Sequence, residues 1–213
     1  MMKDVKLIIF DLDGTLIDAY PAITSSFNYT MKKLGYPRQP ALSIRRAVGW
    51  GDENLLRPYI CEKDLSSALS IYRGHHRSEL RKKSRLLKGA FSVLKRLKAK
   101  GYILAVASNR PERFSRILIR HLKIGRYFRY VLCADKLNNF KPNPEILNKI
   151  LQKFALEPRQ AIYVGDMGID AQAGRRAKVR TIIVTTGSSL KSEIKKERPY
   201  RIISKISKLL KTL

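Results

Sequence analysis

Residues 5–15 read Val-Lys-Leu-Ile-Ile-Phe-Asp-Leu-Asp-Gly-Thr, an apolar run of strand length that ends in two carboxylates and a glycine. Hydrophobicity at nearly every position from Val5 to Phe10 suits a strand buried on both faces, as in a parallel sheet covered by helices. Such sheets take their ligands in the crevice outside the carboxyl ends of the strands. Asp11 and Asp13 stand at that place. Taking two like charges out of water is costly unless a cation or a hydrogen-bond network compensates them. For these residues alone a simpler reading stays open, in which Asp11 caps a turn and Asp13 leads into Gly14.

Four more runs share this character: Tyr102 to Ala107, Tyr130 to Cys133, Ala161 to Val164 and Thr181 to Val184. Between them the apolar residues switch to helical spacing. Gly89 to Lys100 carries Ala90, Val93, Leu94 and Leu97 and meets a stop at Gly101. Pro111 to Leu122 opens on a proline and aligns Phe114, Ile117 and Leu118, and Pro144 to Phe154 aligns Ile146, Leu147, Ile150 and Leu151. Strand and helix alternate over the second half of the chain, which predicts an α/β fold with a Rossmann-like, doubly wound parallel sheet.

The first strand breaks this rhythm, because its successor starts only at Tyr102. In between, Ala22, Ile23, Phe27, Met31 and Leu34, then Leu65, Leu69 and Tyr72, recur at helical spacing. The expectation is an all-α cap, residues 17–85, with a small core of its own. It would be inserted into a catalytic core made of residues 1–16 and 86–213. In the basic tail, Ile202, Ile203, Ile206, Leu209 and Leu210 suggest a helix docked on the core.

Of the 213 residues 44% are hydrophobic, which excludes disorder over most of the length. No apolar run reaches the roughly 18–20 residues of a membrane span, and the stretch from Met1 to Gly14 does not read as a signal peptide. Cys61 and Cys133 fit neither a disulfide scaffold nor a zinc site. These features predict a cytoplasmic protein without membrane contact. The charge is less ordinary: 44 Lys and Arg against 17 Asp and Glu give +27. Such an excess attracts polyanions, yet it is spread along the chain, with local runs such as Arg81-Lys82-Lys83. A diffuse charge forms no binding stripe, so salt-sensitive sticking is expected and specific nucleic-acid binding is not.

A second carboxylate group, Gly165-Asp166-Met167-Gly168-Ile169-Asp170, follows another buried run. Acidic residues at two strand ends of one parallel sheet converge on one edge, and a hard divalent cation such as Mg²⁺ is the natural compensation. Asp170 also has the simpler role of capping a helix over Ala171 to Ala177. Ser108-Asn109 ends a strand just before the helix opened by Pro111, where a hydroxyl and free N–H groups make an anion site. Lys141 lies on a stiff, proline-flanked loop, Phe140-Lys141-Pro142-Asn143-Pro144.

Taken in order, Asp11-Leu12-Asp13-Gly14-Thr15, Ser108-Asn109, Lys141-Pro142-Asn143-Pro144 and Gly165-Asp166…Asp170 resemble the signature segments of the haloacid-dehalogenase-like hydrolase superfamily. The helical insertion resembles that superfamily's first cap type. Ile44 to Gly51, together with the Lys141 loop, is most similar to the phosphoglycolate phosphatase branch. The resemblance implies a Mg²⁺-dependent phosphomonoesterase of a small phosphate ester. Asp11 would be the nucleophile that forms an aspartyl-phosphate, and Asp13 the general acid and base. Mg²⁺ would be held by Asp11, the Asp13 carbonyl and Asp166. Ser108, Asn109 and Lys141 would bind the phosphoryl oxygens, and Asp170 would position Lys141 or a metal-bound water. Arg45, Arg46 and Trp50 of the cap would face the mouth of the site and read the leaving group, an arginine meeting any carboxylate there. Pyrophosphate, a sugar phosphate, a nucleotide, a phosphoglucomutase reaction and a nucleic-acid-end phosphate are the alternatives on the same catalytic set. Two positions depart from the branch: Met167 stands where a hydroxyl residue is common, and Arg110 where lysine is.

Overall fold

The structure is a computed structural model and describes residues 4–213. The chain opens with strand β1 (Leu7–Phe10) and a two-residue strand β2 (Ile17–Asp18). Helices α1 (Tyr20–Lys33), α2 (Ala41–Ala47), α3 (Asp52–Leu56) and α4 (Leu65–Lys83) follow, and β3 (Arg85–Leu86) closes this excursion. From there strands and helices alternate: α5 (Ala90–Ala99), β4 (Ile103–Ser108), α6 (Glu112–His121), β5 (Tyr130–Cys133) and α7 (Glu145–Lys153). The chain ends with β6 (Ala161–Gly165), α8 (Gly168–Arg176), β7 (Arg180–Val184), α9 (Lys191–Lys196) and β8 (Arg201–Ile203).

The main sheet has six strands in the order β5-β4-β1-β6-β7-β8. Every neighbouring pair is parallel. β1 is central, with β4 and β5 laid down on one side and β6, β7 and β8 on the other. Its carboxyl end is therefore the topological switch point, where strands feed loops to opposite sides and leave a crevice. The alternation of β1 explains its sequence: Ile8 and Phe10 enter one apolar cluster, Leu7 and Ile9 another, and all four are fully buried. The Rossmann-like α/β expectation is met.

Two local expectations need correction. Ala22, Ile23, Phe27 and Met31 do not close off a core of their own but belong to the same apolar cluster as Ile8 and Phe10. The helical layer rests directly on the sheet side, with His76 of α4 edge-on to Phe114 of α6 at 5.1 Å. The tail is not a docked α-helix: Arg201–Ile203 adds strand β8 to the edge of β7, and a short 3-10 turn follows at Ile206–Lys211. The open edge of β7 offers backbone partners that two adjacent β-branched residues suit better than a helix does. Ile203, Ile206 and Leu209 are still buried, as their apolarity requires.

β2 and β3 pair antiparallel, Ile17 opposite Leu86 and Asp18 opposite Arg85, so the chain leaves the sheet and returns to it at one place. α8 lies close on β7: a Cβ on Gly174 would sit 1.7 Å from Thr181 Oγ1 and 3.2 Å from the Val179 carbonyl. Gly to Ala inside an ordinary helix stabilises it by about 1 kcal/mol, but here the sign reverses. Gly174→Ala should lower the unfolding free energy by about 1–3 kcal/mol through overpacking. Adding Thr181→Ala should recover part of it. Urea melts of the two variants check this, and a stabilised Gly174→Ala protein would contradict the close packing.

Candidate active site

The site is built at the carboxyl ends of β1, β4 and β6. Asp11 directly follows β1, and its N–H donates to the Val164 carbonyl at 2.9 Å, so the nucleophile candidate stays on the sheet ladder. The chain then turns tightly, with Gly14 N–H donating to Ile17 O and Gly14 at φ +78°. A side chain there is strained for a second reason, since a Cβ would meet Asp166 Oδ2 at 2.4 Å. Gly187 approaches the same oxygen from the loop after β7, where a Cβ would lie at 1.7 Å. Both glycines keep open the space beside Asp166.

Asp11, Asp166 and Asp170 are all buried, and each offers an oxygen within 4.8 Å of the others. Their oxygens differ in occupation. Asp170 Oδ1 receives Lys141 Nζ at 2.8 Å and Tyr163 OH at 2.6 Å. Its Oδ2 receives the N–H groups of Asp166 and Met167 at 3.1 and 3.0 Å. Asp170 thus caps α8 from inside its first turn, since the helix begins at Gly168 and not at Ala171. It also grips Lys141. Asp166 Oδ1 accepts from Thr15 Oγ1 at 3.0 Å, whereas Asp166 Oδ2 is buried with no hydrogen-bond partner. Asp11 Oδ1 is likewise without one, though Lys141 Nζ stands 3.1 Å away. Orphaned carboxylate oxygens of Asp11 and Asp166, in a cradle that two glycines leave clear, are an all-oxygen donor set fitting a hard divalent cation.

The electrostatics follow from burial. Burial pushes the Asp11 carboxyl up to about 6 against the opposing pull of Lys141, and Asp170 and Asp13 add to the rise. Burial, then the charges of Asp170 and Asp11, drive Asp166 well above the ordinary carboxyl range. For Asp170 burial acts in the same sense, but Lys141 and the hydrogen bonds outweigh it and hold that carboxyl below its usual value. Burial would discharge Lys141, yet Asp11 and Asp170 raise it above an ordinary lysine and keep it charged.

Asn109 ties the loops together. Its side chain donates to the Lys141 carbonyl at 3.1 Å and accepts from the Lys141 N–H at 2.9 Å, and it also donates to Gly49 O of the helical insertion at 2.8 Å. Ser108 is 2% exposed, and its Oγ accepts from the Arg110 N–H at 3.3 Å. The cavity above these groups is roofed by residues 48–55 and by α4, with Ile23, Leu55, Tyr72 and Phe114 among its apolar walls. Its volume is about 60 Å³, far below the few hundred Å³ that a drug-sized ligand fills.

Asp11, Asp13, Ser108, Asn109, Lys141 and Asp170 line this cavity together, and Asp166 lies behind it. Arg45, Arg46 and Trp50 do not line it. Arg45 donates to the carbonyls of Thr186 and Gly187 at 2.8 and 3.0 Å and lies over the Tyr20 ring. Arg46 donates to Ser188 O at 2.8 Å and pairs with Glu193, and Trp50 is 43% exposed. The two guanidinium groups saturate backbone carbonyls of the sheet-side loop, so they clamp the insertion down and do not face the mouth. The guanidinium that does line the cavity is that of Arg110, which the sequence marks only as a departure from the branch. Arg110 donates from Nε to Asp13 Oδ2 at 2.7 Å and from Nη1 to His76 Nε2 at 2.9 Å. Its place directly after Ser108-Asn109 was the available signal. His76, Tyr72 and Tyr163 carry none beyond the spacing of a helix or strand.

The family model described as haloacid dehalogenase-like hydrolase matches residues 8–184. Phosphoglycolate phosphatase 1 of Pseudomonas aeruginosa is 30% identical over 214 residues, covering 96% of this chain and 78% of the relative. Phosphoglycolate phosphatase of Aliivibrio fischeri is 30% identical over 223 residues, covering 100% of this chain and 98% of the relative. Among solved structures, a predicted phosphoglycolate phosphatase of Haemophilus somnus superposes with a TM-score of 0.95 at 27% identity, over 100% of this chain and 99% of that one.

The Arg45 clamp leads to a prediction about selectivity. Arg45→Ala should loosen the seating of the insertion and lower kcat/KM on all phosphate esters by a similar factor. Steady-state assays on a natural ester and an aryl phosphate would check it. A loss confined to one ester would restore Arg45 to a substrate-reading role.

Proposed function

This chain belongs to the haloacid dehalogenase-like hydrolase family and is a phosphoric monoester hydrolase, and we propose that its substrate is phosphoglycolate. The observation that carries the reading is one small cavity with Asp11 and Asp13 on its floor beside two buried cations, Lys141 and Arg110. A cavity of about 60 Å³ suits a short ester. The carboxylate of Asp11 attacks phosphorus in line, and the P–O bond to the leaving group breaks. Asp13 gives its proton to the departing oxygen and later takes one from the water that hydrolyses the aspartyl-phosphate. Ser108, the Asn109 backbone and Lys141 stabilise charge on the equatorial oxygens. Asp170 acts through Lys141, whose ammonium it orients.

Asp11 and Asp166, with the Asp13 carbonyl, are the groups that would hold Mg²⁺. When bound, the cation supplies charge compensation for the carboxylates and the phosphoryl group. The fit rests on the unpartnered oxygens of Asp11 and Asp166.

The substrate is tested by kcat/KM over a panel of phosphoglycolate, pyrophosphate, sugar phosphates, nucleotides and a phosphate-terminated oligonucleotide. Phosphoglycolate should lead, and a clear preference for another member would replace the substrate while leaving the chemistry. Asp11→Asn should cost more than about a thousandfold in kcat, as removal of a covalent nucleophile does. Thorough chelation should silence the wild type, and Mg²⁺ should restore it. Near-normal turnover in either experiment would contradict the mechanism.

A further inference from the structure

A substrate bearing a carboxylate beside its phosphate brings a second anion among buried groups, and an unpaired charge there is costly. Among the described residues lining the cavity the cations are Lys141 and Arg110. Lys141 belongs to the phosphoryl side of the site: its ammonium donates to Ala107 O, Tyr163 OH and Asp170 Oδ1 and stands 3.1 Å from Asp11, the nucleophile. Arg45 and Arg46 are spent on the carbonyls of Thr186, Gly187 and Ser188.

Arg110 is arranged differently. Its side chain is 7% exposed, Nε is engaged by Asp13 and Nη1 by His76, while Nη2 has no hydrogen-bond partner among the described residues. Burial, and then the adjacent guanidinium, pulls His76 down to about 2, so the ring is neutral and its Nε2 accepts without repelling Arg110. On its other side the ring contacts Ser26 Oγ at 3.1 Å, stacks on Tyr72 at 4.9 Å and meets Phe114 edge-on at 5.1 Å. A buried guanidinium braced at two nitrogens and open at the third is prepared for a carboxylate, which its planar donors match.

Resting on the phosphoglycolate reading, we propose that Arg110 is the specificity-determining residue, receiving the substrate's carboxylate on its Nη2 edge while His76 holds the guanidinium in place. The connectivity agrees. Arg110 is hydrogen-bonded to Asp13, the group assigned to protonate the bridging oxygen, and the carboxylate of phosphoglycolate hangs one methylene beyond that oxygen. Arg110 follows β4 of the sheet, whereas His76 lies on α4 of the insertion. The carboxylate reader is therefore complete only when the two parts are seated together.

The test compares kcat/KM for phosphoglycolate with that for 2-hydroxyethyl phosphate, which lacks the carboxylate, in wild type, Arg110→Met and Arg110→Lys. The wild-type preference for phosphoglycolate should fall about 10- to 150-fold in Arg110→Met, the range of a lost hydrogen bond to a charged group. Arg110→Lys should retain part of it. Equal losses on both esters would overturn the proposal and leave Arg110 as a positioner of Asp13 alone. A wild type with no preference would instead refute the phosphoglycolate reading, and this proposal with it. Inhibition by phosphonoacetate and by ethylphosphonate supplies a readout that does not need turnover. Arg110→Met should weaken the first selectively, and parallel weakening of both would overturn the proposal.

Discussion

Three buried carboxylates, Asp11, Asp166 and Asp170, gather around a single ammonium, that of Lys141, at the carboxyl edge of the sheet. Counted as ions, three negative charges against one positive leave two uncompensated, in a place where desolvation makes each expensive. Burial first, and then the neighbouring carboxylates, hold Asp166 far above an ordinary carboxyl and raise Asp11 to about 6. A divalent cation offsets the same deficit without a proton and leaves Asp11 a nucleophile. Much of the local architecture serves this balance. Gly14 and Gly187 keep side chains away from Asp166 Oδ2, and Asn109 fixes the backbone on either side of the Lys141 side chain.

The helical insertion is tied to the sheet by polar contacts that each end on a loop of the site. Arg45 and Arg46 reach the segment that contains Gly187, Gly49 meets Asn109, and His76 meets Arg110. Seating the insertion therefore touches the loop beside Asp166, the loop that fixes Lys141, and the partner of Asp13. A backbone carbonyl or a neutral ring accepts in each of these; the ion pairs between the two parts, Arg46–Glu193 and Arg113–Asp52 at 4.0 Å, are partly exposed and add little.

The catalytic edge was legible in the sequence because a parallel sheet translates the ends of apolar runs into neighbours in space. Asp11, Ser108 and Asp166 come together for that reason alone, although Ser108 lies 97 positions beyond Asp11. The roof was not legible. Arg45 and Arg46 read as mouth-facing because a basic turn carries no record of the carbonyls that saturate it, and those lie some 140 positions away. His76 and Tyr72 share a helix face and give no sign in one dimension that it overlooks a reaction. The isoleucines near 202 satisfied both a helix and a strand pattern. An unpaired edge on β7 settled the matter, which is a property of the assembled sheet.

The ribbon of β2 and β3 has a consequence for descent. Because residues 20–83 leave and rejoin at paired positions, Ile17 with Leu86 and Asp18 with Arg85, the sheet meets the same short gap whatever is spliced between them. Lengthening a closed excursion adds only a logarithmic entropy cost. The roof can thus diversify, shrink or be replaced over generations while the floor beneath it, and the reaction performed there, stays constant. What a successor must supply is small: an apolar underside to cover Ile8 and Phe10's cluster, and an uncharged acceptor for the arginine that waits below.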